Sequence, residues 1–127
     1  MSQAAAKATP ASVEAVALTK ATVRAAKRLG LKNRVLAAVI GLSEPTISRM
    51  TKDEFVLSRG EKAFELSVLF VRLFRALDAI VGGDERAAQA WLASQNVALR
   101  DAPINLIQTV GGLVNVVQYL DTRRARI

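Results

Sequence analysis

The sequence predicts an all-α protein in two parts, and three observations predict it. No segment alternates apolar and polar residues with period two over a useful length. Apolar residues recur instead at helical spacing, as in Leu113, Val116, Val117 and Leu120, which lie at i, i+3, i+4 and i+7. Glycine punctuates the chain at Gly30, Gly41, Gly82-Gly83 and Gly111-Gly112, where helices can end.

Each element follows from local chemistry. Met1 to about Ala11 is a small-residue leader (AAAKATPA), so residues 1–12 are set apart as a disordered leader. Ser12 can cap a helix through about Leu29, with Gly30 at its end. Two short helices follow, Asn33 to Ile40 and Glu44 to about Lys52, on either side of Gly41-Leu42-Ser43. Glu54 to Gly60 reads as a hinge between a first module at 13–59 and a second at 60–127. A long helix from about Glu61 to Val81 is apolar on nearly every face between Leu66 and Leu77, which marks it as central and buried. Gly82-Gly83 stops it. Asp84 caps a helix to about Ser94, with Trp91 and Leu92 inward, and Asn96 ends that helix. Asp101 with Pro103 starts a short helix to about Thr109. Gly111-Gly112 breaks the chain again, and a final helix runs from Leu113 to about Thr122.

Composition narrows the function. The 127 residues are 51% hydrophobic with mean hydropathy +0.23, which supplies a core and excludes global disorder. Aromatic residues make up only 5%, so Ala, Val and Leu must fill most of that core. Cys and His are both absent. Their absence excludes disulfides, thiolate metal sites and cysteine nucleophiles, and removes the commonest metal ligand and general base. No metal or cofactor is expected. The most apolar stretch, Ala63 to Val81, carries Glu65, Arg72, Arg75 and Asp78, so it is not a membrane span. The N-terminus lacks the continuous apolar run of a secretory signal. Its Ala-rich, basic, acid-poor composition also suits a transit peptide, against which stands a basic helix that runs on into a packed-looking module. A cytoplasmic protein without a membrane partner is the expectation.

Charge is uneven along the chain. Residues 1–53 carry +6, residues 54–121 carry −2, and Arg123, Arg124 and Arg126 restore the total of +7. Like charges concentrated on one module destabilise it without a partner, and a polyanion such as DNA is the natural counterpart. Lys20, Arg24 and Lys27/Arg28 fall at helical spacing and make one basic stripe. The sequence leaves open whether that stripe touches DNA or is a solvated face.

The segment Asn33 to Lys52 (NRVLAAVIGLSEPTISRMTK) has the framework of a helix-turn-helix. Ala37 is the small residue where the helices cross, and Gly41 sits at the turn. Leu36, Ile40, Leu42, Ile47 and Met50 occupy inward positions. Ser43 caps the second helix, and Pro45 fits its first turn, where a missing N–H costs little. The bland alternative is a helical hairpin in an ordinary bundle. Against it stands the outer face of the second helix, whose Glu44, Thr46, Ser48, Arg49 and Lys52 suit base edges and phosphates. Arg49 is the best candidate for a base contact, because its planar fork matches the guanine edge. Ser43, Ser48 and Lys52 read as phosphate partners, and Arg34 as a backbone anchor. Glu44 either accepts from cytosine or complements the helix N-terminus, the second being favoured.

The second half carries a spaced pattern: Ala90-Trp91-Leu92, Asn96, Ala98-Leu99, Pro103, Leu106-Ile107, Thr109, Gly112, Val116 and Leu120. Singly, each has a structural reading: Trp91 as a core anchor, Pro103 as a helix starter, Thr109 and Gly112 as a helix-to-helix corner. Together they resemble the toxin-binding domain of Xre/MbcA/ParS-type antitoxins, and the order of helix-turn-helix followed by a long central helix is that family's as well. The resemblance covers about Lys20 to Ile127. It implies a small C-terminal helical toxin-binding domain, a homodimer that binds operator DNA and represses its own operon, and a hetero-oligomeric complex with a toxin. The toxin would be a RES-domain protein that consumes NAD or transfers ADP-ribose from it, its active-site mouth covered by the last helix and tail. The residues carried over are Gln118, Tyr119, Asp121, Arg123, Arg124, Arg126 and Ile127.

The tail has a physical argument of its own. Three arginines within four residues exceed what a helix end needs for its dipole. They could pair with acidic groups on a pocket rim, or the Ile127 carboxylate could take a phosphate position; a frayed, solvated tail is the bland alternative. In the final helix the packing stripe is Leu113, Val116, Val117 and Leu120, and Gln118, Asp121 and Arg124 are expected together on another face. Two further readings compete with an antitoxin. One is a stand-alone helix-turn-helix transcriptional regulator whose second half dimerises or senses a ligand. The other is an enzyme using Asp84 and Glu85, but adjacent residues at a helix start point apart, and no base or phosphate loop accompanies them. A non-enzymatic protein is expected.

Overall fold

The computed structural model describes residues 11–125. Among these residues there are seven α-helices and no strand: α1 Val13–Arg28, α2 Asn33–Ile40, α3 Glu44–Thr51, α4 Lys62–Val81, α5 Glu85–Ala93, α6 Pro103–Leu106 and α7 Val110–Ala125. The all-α class follows, with the helix-turn-helix in the N-terminal part. Most of the leader expected at 1–12 lies outside the described residues. Ser12 lies inside them and caps α1, its hydroxyl accepting from the Ala15 N–H at 3.0 Å. No helix among the described residues is long and apolar enough to cross a membrane.

The α1 helix buries a face of small side chains, Ala15, Thr19, Thr22, Ala25 and Ala26, against α4. Its two threonines satisfy themselves locally, Thr19 donating to the Ala15 carbonyl at 2.7 Å and Thr22 to that of Leu18 at 2.8 Å. Thr19 has a second task. Its hydroxyl accepts the Leu57 N–H at 3.0 Å, and the Leu57 side chain is buried. The 54–60 segment, expected as a hinge, is therefore irregular but pinned: an apolar anchor and a buried hydrogen bond fix its middle to α1.

Helix α4 is the axis of the molecule. It packs most extensively against α7, then against α1 and α2. Phe70, Leu73, Ala76 and Leu77 are fully buried along it. They belong to one continuous apolar cluster that runs from Leu36, Ile40, Ile47 and Met50 in the first half to Leu92, Ile107, Leu113 and Leu120 in the second. Arg28 ties the two halves on the outside. Its guanidinium approaches Glu85 at 3.2 Å and Asp78 at 3.6 Å and lies over the Phe74 ring at 5.2 Å, while its carbonyl accepts from Gln89 Nε2 at 3.0 Å. Arg28 thus leaves the basic stripe in which the sequence placed it, because two carboxylates and an aromatic face compete for it from α4 and α5.

One core position is imperfect. The Ser67 hydroxyl on α4 is fully buried and finds no hydrogen-bond partner. An unsatisfied buried hydroxyl forfeits its hydration without return, so Ser67→Ala should leave stability unchanged or raise it by about 1 kcal/mol. A urea denaturation midpoint lowered by this substitution would show that Ser67 is satisfied in solution.

The C-terminal third departs from the sequence reading in three places. Helix α5 ends at Ala93 with Ser94 as its C-cap, close to the expected end, but Asn96 does not end it and instead shapes the following loop: its Oδ1 accepts the Leu99 N–H at 3.0 Å, and its N–H donates to the Asp101 carbonyl at 3.2 Å. Helix α6 spans only four residues, with Ala102 as N-cap, while Asp101 Oδ1 accepts from the Ala102 N–H and from Asn105 Nδ2. Gly111-Gly112, expected as a break, lies inside the first turn of α7. Thr109 begins that helix, its hydroxyl accepting the Gly112 N–H at 3.1 Å and its carbonyl the Leu113 N–H at 2.9 Å. Gly112 is required for contact, not for a turn: a Cβ there would overlap the Leu106 carbonyl and lie 2.9 Å from Thr109 Oγ1.

Candidate functional site

The helix-turn-helix forms as its framework residues dictate. Gly41 adopts φ +75°, and the Gly41 and Leu42 N–H groups both return to the Ala37 carbonyl, at 2.9 and 3.1 Å. The chain reverses and Ser43 caps α3, its Oγ accepting the Thr46 N–H at 3.3 Å. Leu36, Ala37, Ile40, Ile47 and Met50 are buried, and Leu42 is half-buried. The inward set locks the crossing of α2 and α3 and leaves the opposite side of α3 to solvent.

That outer side carries a short polar relay. The Ser43 and Thr46 hydroxyls lie 2.8 Å apart, and Arg49 Nη2 donates to Thr46 Oγ1 at 3.2 Å. The relay steers the Arg49 guanidinium along the helix while leaving its other donors open. Arg34, Ser43, Glu44, Arg49 and Lys52 are exposed, and none of their charged groups is in an ion pair among the described residues. Thr46 and Ser48 are half-buried, so Ser48 is less available to a phosphate than its spacing suggests.

The C-terminal candidates divide over different faces of α7. Tyr119 is half-buried and stacks on Trp91, with ring centroids 6.3 Å apart and planes inclined by 19°. Arg123 closes over it, Nη1 donating to the Tyr119 hydroxyl at 2.9 Å with the guanidinium 5.6 Å from the ring centre. Trp91, expected inward, is half-buried and serves this surface stack, while its neighbour Leu92 takes the core position. Gln118, Tyr119 and Arg123 line a shallow groove of about 640 Å³ with Ala98, Leu99 and Thr122. Arg124 lies elsewhere, in a groove of about 550 Å³ between α1, α4 and α7 that also involves Leu18, Val68, Arg72 and Arg75. Asp121 is ion-paired with Arg72. Of Gln118, Asp121 and Arg124, expected on one face, Asp121 and Arg124 stay on the side of Arg72 while Gln118 turns to the other groove, since steps of three residues drift by about 60° per step. Arg126 and Ile127 lie outside the described residues.

Two family models match the chain: an antitoxin Xre-like helix-turn-helix domain over residues 7–72, and an antitoxin Xre/MbcA/ParS C-terminal toxin-binding domain over residues 76–126. The chain belongs to the Xre/MbcA/ParS antitoxin family. No individual curated protein matches it. The two matched segments of this antitoxin meet inside α4, which therefore serves both: Leu66 lies beside Gly41 of the helix-turn-helix, while Val68 and Arg72 already face the end of α7. The grooves on α7 were not legible from the sequence. Val68, 46% exposed and lining the Arg124 groove together with Leu18 and Val71, looks in sequence like any other apolar residue of a buried helix.

Proposed function

We propose that this antitoxin binds its own operator as a homodimer, represses its operon, and neutralises a RES-domain toxin, NAD-consuming or ADP-ribosylating, by covering that toxin's active site. One observation supports the double role: the two matched segments together account for residues 7–72 and 76–126, and each presents its own exposed polar surface. In this reading Arg49 reads a base edge, Arg34, Ser43, Ser48 and Lys52 hold phosphates, and Glu44 with Thr46 completes the outer face of α3. Gln118, Tyr119 and Arg123 contact the toxin from one side of α7 and Asp121 and Arg124 from the other, so that the toxin grips the end of the helix, with Arg126 and Ile127 reaching its active-site mouth. The modules are proposed to divide near residue 60, and no catalytic role is assigned to either. The toxin-binding match favours this over a stand-alone regulator, which would need no partner domain.

Removal of Arg123 to Ile127 tests the toxin half. Leu113, Val116, Val117 and Leu120 all remain, so the circular dichroism spectrum and operator binding should be those of the intact chain. Rescue of growth from the co-expressed toxin should fall by at least tenfold in surviving cells, because a few anchors, among which arginine is enriched, carry most of an interface's affinity. Full rescue at matched expression would remove the tail from the interface.

A further inference from the structure

We propose that α1 carries a second DNA contact surface, in which Lys20, Arg24 and Lys27 bind phosphates of the strand beside the groove that α3 enters. The inference rests on the reading of α3 as the recognition helix and adds to it a surface outside the helix-turn-helix.

The three side chains lie at i, i+4 and i+7 and are all exposed. None of them is in an ion pair among the described residues, where the paired cations are Arg28, Arg59 and Arg72. Arg28 supplies the contrast. It stands next to Lys27 in sequence, yet it is turned toward Asp78 and Glu85 and holds the two halves of the fold together. The cation that the fold uses is thus separated from three for which the fold has no use.

Their placement is what points to DNA. Lys27 shares a cleft with Asn33, at the start of α2, and Thr51, at the end of α3. Lys20 lines the adjoining cleft with Phe55, Val56 and Asp53, just beyond α3. The opposite flank of α1, with Ala17, Leu18 and Ala21, faces the groove toward α4 and α7 instead. Lys20 and Lys27 therefore border the end of the recognition helix, while Arg24 lies between them on the exposed side of α1 and lines neither these clefts nor the groove toward α4 and α7. Asp53 is the one carboxylate in these two clefts, and it forms no ion pair with Lys20. Seven residues of helix span about 10 Å at 1.5 Å per residue. One DNA strand rises about 3.4 Å per phosphate along the duplex axis and its path between phosphates is longer, so the stripe with its flexible side chains reaches about two to three phosphates. A contact of this kind adds affinity and salt dependence without sequence preference.

The test is binding of the full-length chain, wild type and K20A/R24A/K27A, to a duplex carrying the promoter upstream of its gene and to an unrelated duplex of equal length. Fluorescence anisotropy is followed from 50 to 200 mM salt. Each lost phosphate contact should flatten the log–log salt slope by about 0.9, so the triple variant should be flatter by about 2 to 3. Its affinity should fall by a similar factor on both duplexes, leaving their ratio unchanged, with an unaltered circular dichroism spectrum. An unchanged slope overturns the proposal. If Arg49→Ala still relaxes sequence preference in the same experiment, the recognition-helix reading survives and the α1 surface alone falls. Absence of promoter binding by the wild type would overturn both.

Discussion

Gly112→Ala is expected to destabilise the protein by about 3 kcal/mol, at the upper end of what overpacking costs. The added methyl would occupy space held by the Leu106 carbonyl and would press on Thr109 Oγ1. Neither neighbour is the free end of a flexible side chain: one is backbone, and the other caps α7 through the Gly112 N–H. Relief therefore requires moving α6 away from α7 or giving up the cap. Gly111→Ala is the matched control. A Cβ at Gly111 meets nothing within 4 Å, and alanine is the better helix former, so that change should be neutral or stabilising by up to about 1 kcal/mol. Chemical denaturation of the two variants side by side checks the assignment. Equal effects would mean that the α6–α7 corner relaxes freely.

This pair of glycines also shows where sequence reading reaches its limit. Glycine that ends a helix and glycine that admits a neighbouring backbone have the same local signature, and only the position of Leu106 tells them apart. Where the deciding chemistry is local, the sequence was legible: Ser12, Ser43 and Asp84 cap the helices they were expected to cap, and Gly41 makes the turn. Where it depends on distant partners, it was not. Arg28 reads as one more cation in a stripe until Asp78 and Glu85 are placed beside it, 50 and 57 positions along the chain. Leu57 reads as part of a linker until Thr19 is found to accept its N–H. In α7, helical spacing located the packing stripe correctly but could not say which flank faces a groove, since that depends on α1, α4 and the 96–101 loop.

Arg49→Ala is expected to weaken operator binding by about 1–3 kcal/mol and to relax preference at one base pair, the cost of losing a bidentate base contact. The relay on α3 makes a sharper statement. Thr46 Oγ1 accepts from Arg49 Nη2, so Thr46→Ala should release the guanidinium from its present orientation and cost a smaller part of the same loss. If Thr46 acts through Arg49, the two changes are not additive, and Thr46→Ala in an Arg49→Ala background should cost little more. Lys52→Ala should behave differently, weakening all duplexes alike and lowering the salt slope by about one unit. Operator affinity and base preference unchanged in all three variants would remove α3 from the interface.

The continuity of the core has a consequence for the lifetime of the molecule. Leu36 and Ile47 in the first half share a single cluster with Leu113 and Leu120 in the second, and α4 passes through both matched segments without interruption. Such a body is expected to melt in one cooperative transition, in which both surfaces are lost together. A protease that captures the opened chain ends both engagements in a single event, and the two bound partners are released on the same clock. Conversely, either partner, by holding the folded form, slows the loss of the surface used by the other, in proportion to its own occupancy.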